Sequence, residues 1–345
     1  MGLRFGYRLD LRDPSRVLEY AVGADRAGFE FAWVPDHLTA GSPTQVCFDA
    51  WTFLAAAGVK TERIRLGPSV SDIVRRDPVT LAQSAATLRL ITGGRCVLGL
   101  GLGEAMNLLP FGMEPSSQTA RMKEAVELIR LLWRSSFDKR VSYKGRFYGF
   151  EGAWLQFPDP GPVPIYIGAL GPKTQTLAGE VADGWFPAIH SKAVFTEAVK
   201  NIREGLLRAR RRAEEIDVVA RFYLAITEDV NDGLRKVGPA ARNMLLTEQK
   251  SLEGMGILTE EMRAFSGHSM VPEGGEWTKR QQAALAKIPD AAVKETTLVG
   301  TPAQIADRIS EFQKLGATQI VIQDPTDGVI QTQREFMAKV APLLS

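Results

Sequence analysis

His37 is one of three histidines in 345 residues, and it sits beside Asp36 where a short apolar run, 29–34 (FEFAWV), ends. An imidazole titrates near neutral pH, so at the rim of a sheet it is suited to acid/base work. The same pair also reads as a cap, with Asp36 bonding nearby backbone. A second rim residue is Glu104, which follows a glycine-alternating strand, Gly99-Leu100-Gly101-Leu102-Gly103. The spacing is not the GxGxxG of dinucleotide binding, because the third glycine comes one residue early. Glycines at period 2 leave one strand face without side chains, so a flat ligand or another backbone can approach closely. Glu104 is then either a structural acceptor or a proton carrier, and Asn107 faces the same way if a helical turn begins there. A third junction, 168–173 (GALGPK), runs from strand through glycine into a helix opened by Pro172. Its amides at Leu170 and Gly171 suit a phosphate, as free N–H groups at a helix start do, or form an ordinary tight βα turn. Arg75 and Arg76 precede Asp77-Pro78, either as a solvated pair or facing acidic groups on the tail of a ligand.

These residues need a frame that brings strand ends together. Strand-like segments at 3–7, 29–34, 64–70, 96–103, 165–168, 185–188, 218–226 and 319–323 alternate with helical ones. The helical periodicity covers 15–27, 48–59, 78–91, 122–133, 173–182, 194–213, 303–315 and 331–344. Eight strand-helix units predict a (β/α)8 TIM barrel, whose active site lies at the C-terminal strand ends. The alternative is a doubly wound open sheet. The chain reads as one barrel domain over 1–345 with two insertions. One is a hairpin at about 138–157; the other is a helical, Met-rich stretch at about 232–297 with a flexible-loop candidate at 266–276.

Composition limits the partners. Lys plus Arg is 42 against 40 for Asp plus Glu, a net charge of +2, so neither nucleic acid nor a membrane surface is expected. No apolar run reaches spanning length, and the N-terminus has no hydrophobic signal core. Two cysteines in so long a chain imply no disulfide scaffold and a cytoplasmic location. With three scattered histidines they also give no metal site.

Together the strand ends resemble the luciferase-like barrels of the bacterial luciferase superfamily. The likeness is closest to the branch that uses the deazaflavin coenzyme F420, with its glucose-6-phosphate dehydrogenases, secondary alcohol dehydrogenases and methylenetetrahydromethanopterin reductases. It runs through 28–33, Asp36-His37, 66–70, Asp77-Pro78, 99–107, 164–172, 182–184 and 300–323. The resemblance implies an oxidoreductase that passes a hydride between C5 of the deazaflavin and a small-molecule substrate. In it His37 is the acid/base for the substrate oxygen, and Glu104 exchanges the ring proton. Asp36 stands at the deazaflavin, Ser69-Val70 forms a cis-peptide bulge behind the ring, and Asn107 is a cofactor contact. Ala169, Leu170 and Gly171 hold the phosphate. A homodimer is also implied. Three positions depart from the pattern: Gly41 replaces a tryptophan of the alcohol and sugar-phosphate enzymes, Arg8 replaces a first-strand acid of the reductases, and Glu104 replaces their aspartate. The rival readings are an FMN-dependent luciferase-like monooxygenase and a non-catalytic flavin-binding barrel.

Overall fold

The structure is a computed structural model that describes residues 2–9, 13–40, 46–267 and 269–344; Gly41 lies outside them. The strands are β1 (Arg4–Arg8), β2 (Phe31–Val34), β3 (Arg65–Pro68), β4 (Ser71–Asp72), β5 (Leu98–Gly101), β6 (Val141–Lys144), β7 (Gly149–Ala153), β8 (Ile165–Gly168), β9 (Gly184–Phe186), β10 (Asp217–Ile226), β11 (Leu298–Gly300) and β12 (Gln319–Gln323). The main sheet runs β3-β2-β1-β12-β10-β9-β8-β5-β4, with every pairing parallel. A bridge from Leu66 to Cys96 links β3 to the start of the β5 segment and closes the ring. The amide of Leu66 donates to Arg95 O at 2.7 Å, and that of Val97 to Leu66 O at 3.0 Å. The expected eight-stave (β/α)8 barrel is therefore present.

Two details differ from the sequence reading. The third stave is not one strand over 64–70. It breaks into β3 and β4, which pairs with β5, and the Ser69–Val70 peptide between them is cis. β11 was not anticipated; it pairs with β10 at Leu224–Ile226, off the main path of the sheet. The hairpin β6-β7 is antiparallel, as read.

Burial on both faces makes the staves nearly continuous apolar runs. Inward positions follow period 2. Phe31 and Trp33 stack at 5.9 Å, and Trp33 meets Tyr166 at 5.1 Å and Phe186 at 4.7 Å. With Val97, Val219 and Val321 they form an apolar cluster, so the barrel is filled below its mouth. The glycines of β5 have a specific use. A Cβ on Gly99 would collide with the Pro68 carbonyl, and one on Gly101 would lie 2.5 Å from Val70 Cγ2. The bare face admits another backbone, the Ser69–Val70 bulge.

Helices begin where side chains cap them. Asp77 accepts from the Val79 amide at 2.8 Å before Pro78–Ile91, and Thr301 forms a capping box with Gln304 before Pro302–Leu315. Asp49 accepts from the Thr52 amide, so that helix runs Ala50–Lys60 rather than from residue 48. After β10 come five helices, Val230–Glu248, Lys250–Gly254, Glu260–Arg263, Gly275–Ala286 and Asp290–Thr296. They have their own apolar cluster, including Leu245, Leu252, Met262 and Phe265. The described residues of 266–274 carry neither helix nor strand.

Candidate active site

The loop after β2 and the turn after β5 meet at the mouth. Asn107 is 2% exposed, in the four-residue helix Ala105–Leu108 that Glu104 precedes. Its Oδ1 accepts from the amides of Leu38 (2.7 Å) and Thr39 (3.0 Å). That fixes the amide orientation and turns Nδ2 toward His37 Nδ1 at 3.1 Å and Glu104 Oε2 at 3.3 Å. Glu104 Oε2 is itself 3.3 Å from His37 Nδ1. Asn107 therefore uses both lone pairs and both N–H bonds within the protein. Its place is to hold His37 and Glu104 together, which leaves Nε2 as the ring nitrogen of His37 available to a ligand.

Asp36 and His37 have different surroundings. The Asp36 carboxylate is 1% exposed and bonded to Arg76 (2.7 and 3.0 Å), Ser71 Oγ (2.5 Å) and Arg75 Nη2 (3.0 Å). Burial alone would raise its carboxyl, but Arg76, Arg75 and Ser71 hold it below the usual carboxylate range. Arg75 also pairs with Asp72, and Arg76 with Asp49. The two arginines are thus neither a solvated pair nor receptors for a ligand tail. They tie the β2 loop to the bulge after β3.

Two connected cavities open at this rim. A slot of about 260 Å³ is lined by Ser69, Val70, Gly101, Gly103, Asn107, Gly168, Leu170, Gly171, Thr174 and Phe186, among others. A wider cleft of about 800 Å³ reaches under the helices after β10. Arg8, His37, Glu104, Met244, Thr247 and Glu248 line both, and so mark the junction. The Ser69 hydroxyl is buried in the slot wall without a hydrogen-bond partner. Gly171 has extended backbone (φ −94°, ψ 155°), and a Cβ there would meet nothing within 4 Å. No side chain caps the helix Pro172–Val181 that follows it. The amides of Lys173 and Thr174 precede the first intrahelical bond, Gln175 N–H to Gly171 O at 2.9 Å. Ala169 stands behind this turn, fully buried, with its carbonyl taken by Trp185 Nε1 at 2.8 Å.

Sequence reasoning missed Arg221 in the slot wall and Glu248 at the junction, and named Arg8 only as a departure from the reductase pattern. Arg221 is 6% exposed and Arg8 8%. Both donate to Gln323 Oε1, at 3.0 and 3.1 Å. Burial, reinforced by Arg8, lowers Arg221 to about 9. Glu248, at the end of the long helix Val230–Glu248, is raised to about 8 by burial and by the charge of Glu104. An arginine in the apolar run after Asp217 of the ten-residue strand was a readable signal; Glu248 on an amphipathic helix end was not.

The luciferase-like monooxygenase family profile matches residues 5–319. The chain is 33% identical over 316 residues to a 5,10-methylenetetrahydromethanopterin reductase of Archaeoglobus fulgidus, covering 89% of each. It is 33% identical over 263 residues to an F420-dependent glucose-6-phosphate dehydrogenase of Nakamurella multipartita, covering 72% of this chain and 75% of the relative. Among solved structures, the coenzyme F420-dependent tetrahydromethanopterin reductase of Methanopyrus kandleri superposes with a TM-score of 0.84 over all of both chains at 24% identity, which speaks for the fold. With the closed barrel and the matching profile in place, the chain belongs to the luciferase-like monooxygenase family.

Proposed function

We propose that the protein is a coenzyme F420-dependent oxidoreductase acting on a small substrate at the junction of slot and cleft. The observation that carries this is the His37–Asn107–Glu104 cluster, set beside a slot that runs from the Ser69–Val70 bulge to the Leu170–Gly171 turn. The F420-dependent name of the aligned glucose-6-phosphate dehydrogenase supports the choice of coenzyme over FMN. The slot fits the group in two respects. The orphaned Ser69 hydroxyl offers a hydrogen bond to a polar ring. The open turn at Gly171 and the uncapped helix start offer amides to a phosphate. Coenzyme F420, when bound, supplies or takes the hydride at C5 of its deazaflavin.

The side chains of this protein handle orientation and the proton. With Nδ1–H on Glu104 Oε2 and a second proton on Nε2, the protonated ring of His37 is an acid toward a carbonyl oxygen and is left as the neutral Nδ1–H ring. That same neutral ring presents Nε2 as a base toward a hydroxyl in the reverse direction. The one cluster therefore serves either direction of reaction. Glu104, at the same rim, exchanges the ring proton. Asp36 keeps the β2 loop in place through Arg75 and Arg76. The same reading includes a single barrel domain with the helices of 232–297 as an insertion, a homodimer, as the family resemblance implies, and, from the two cysteines, a cytoplasmic location.

Titration tests the coenzyme. Oxidised F420 is expected to bind with quenching of its fluorescence, more tightly than FMN or NADP. Clear FMN binding with none for F420 would overturn the assignment.

A further inference from the structure

We propose that the outer part of the wide cleft binds an uncharged, mainly hydrocarbon tail of the substrate, whose carbonyl or hydroxyl carbon lies at His37. The claim that the ligand is a substrate rests on the functional reading above; the claim of a tail groove does not.

From the junction the cleft continues between two helices of the insertion. Pro239, Ala240, Asn243, Met244 and Thr247 line it from the helix Val230–Glu248. Gln281, Gln282, Leu285 and Ala286 line it from the helix Gly275–Ala286. Both sets recur at i, i+1, i+4 and i+5, which gathers each on one helix face. From Thr247 to Pro239 that wall is about 12 Å long by helix rise. Elsewhere on the first helix Val237, Ala241 and Leu245 are fully buried in the apolar cluster of the insertion. Ala240, Met244 and Leu285 pack against that cluster only in part, and their remaining surface belongs to the cleft. Met244 and Met270, both on the cleft, are flexible, polarizable side chains that mould to a chain of no fixed shape.

Charge decides the class of the tail. Arg8, His37, Glu104 and Glu248 stand at the junction, where the reacting group needs polar neighbours. Farther out, the charged side chains among the described lining residues are Lys236 and Arg242, and both are engaged. Lys236 Nζ is 2.7 Å from Asp232. Arg242 donates to the Ile288 carbonyl at 2.9 Å and to the Asp290 carboxylate. The amides are turned on each other, with Gln281 Nε2 donating to Asn243 Oδ1 at 3.2 Å. An anionic tail would have to displace these carboxylates, whereas a hydrocarbon has only to displace water. The cleft, at about 800 Å³ against about 260 Å³ for the slot, is also far larger than a substrate confined to its reacting carbon would fill.

Calorimetric titration with the methyl ketones butan-2-one, hexan-2-one, octan-2-one and decan-2-one, with and without saturating oxidised F420, tests the groove. Affinity is expected to rise about two- to fourfold per buried methylene, as apolar burial gives, and to keep that slope with F420 bound. The acid of the same length, 9-oxodecanoate, is expected to bind more weakly than decan-2-one. Ala286→Trp and Ala240→Phe, each placing a large side chain in the groove, should flatten the slope, with melting temperature and F420 fluorescence titration showing that barrel and slot are intact. A flat series in the parent protein overturns the groove while F420 binding leaves the functional reading standing. An unchanged slope in both folded variants also overturns the groove, because the chain then lies elsewhere. Tighter binding of 9-oxodecanoate overturns the uncharged class. Loss of the slope when F420 is bound puts the chain in the slot and overturns the proposal. Failure of F420 to bind while the slope persists sinks the functional reading and leaves the groove standing.

Discussion

His37→Ala is expected to lower turnover by roughly 100- to 10,000-fold, the contribution of a positioned acid/base, while F420 affinity changes little. The imidazole is held from one side only, by Asn107 and Glu104 on Nδ1, and is a quarter exposed. Its loss removes a rim group rather than a core side chain. The cost in stability is therefore about 1 kcal/mol, the scale of one hydrogen bond. The measurement pairs steady-state rates with a fluorescence titration of the coenzyme on both proteins. A variant with near-normal rate would make His37 a loop residue and leave the proton chemistry without a carrier.

Gly171→Val is expected to weaken coenzyme binding by about 10- to 100-fold, the scale of losing bonds to a charged group. The reasoning isolates the ligand. The backbone of Gly171 is extended, which any residue adopts, and a Cβ there meets nothing within 4 Å. The protein itself therefore loses little, and the added side chain occupies the space in front of the helix amides. Melting temperature and F420 titration are measured together. An unchanged affinity in a normally folded variant would place the phosphate elsewhere.

The staves were legible because a strand buried on both faces is a nearly continuous apolar run, as in Phe31–Val34 and the centre of Gln319–Gln323. Their ends were less so. The 64–70 run, IRLGPSV, reads as one strand, yet the chain turns at Ser69–Val70 to fill the bare face of Gly99 and Gly101. The glycine pattern signalled a close approach and left open what approaches. Asp36 and His37, adjacent in sequence, part in space: one carboxylate turns to Arg75 and Arg76, and one imidazole turns to Asn107 and Glu104. Local pattern does not carry that division, because the partners lie 35 to 70 residues away. Glu248 had no signal at all, since its environment arises only when the helices after β10 fold over the mouth.

Hydride transfer itself is the most direct measurement. The protein, loaded anaerobically with reduced F420, is mixed in turn with 2-oxo acids, simple ketones and a methylene-pterin, and absorbance is followed at the band of the oxidised deazaflavin. The predicted result is return of that band with a substrate and without oxygen, lost in His37→Ala. Oxygen-dependent turnover of reduced FMN, with none from F420 under any substrate, would contradict the account.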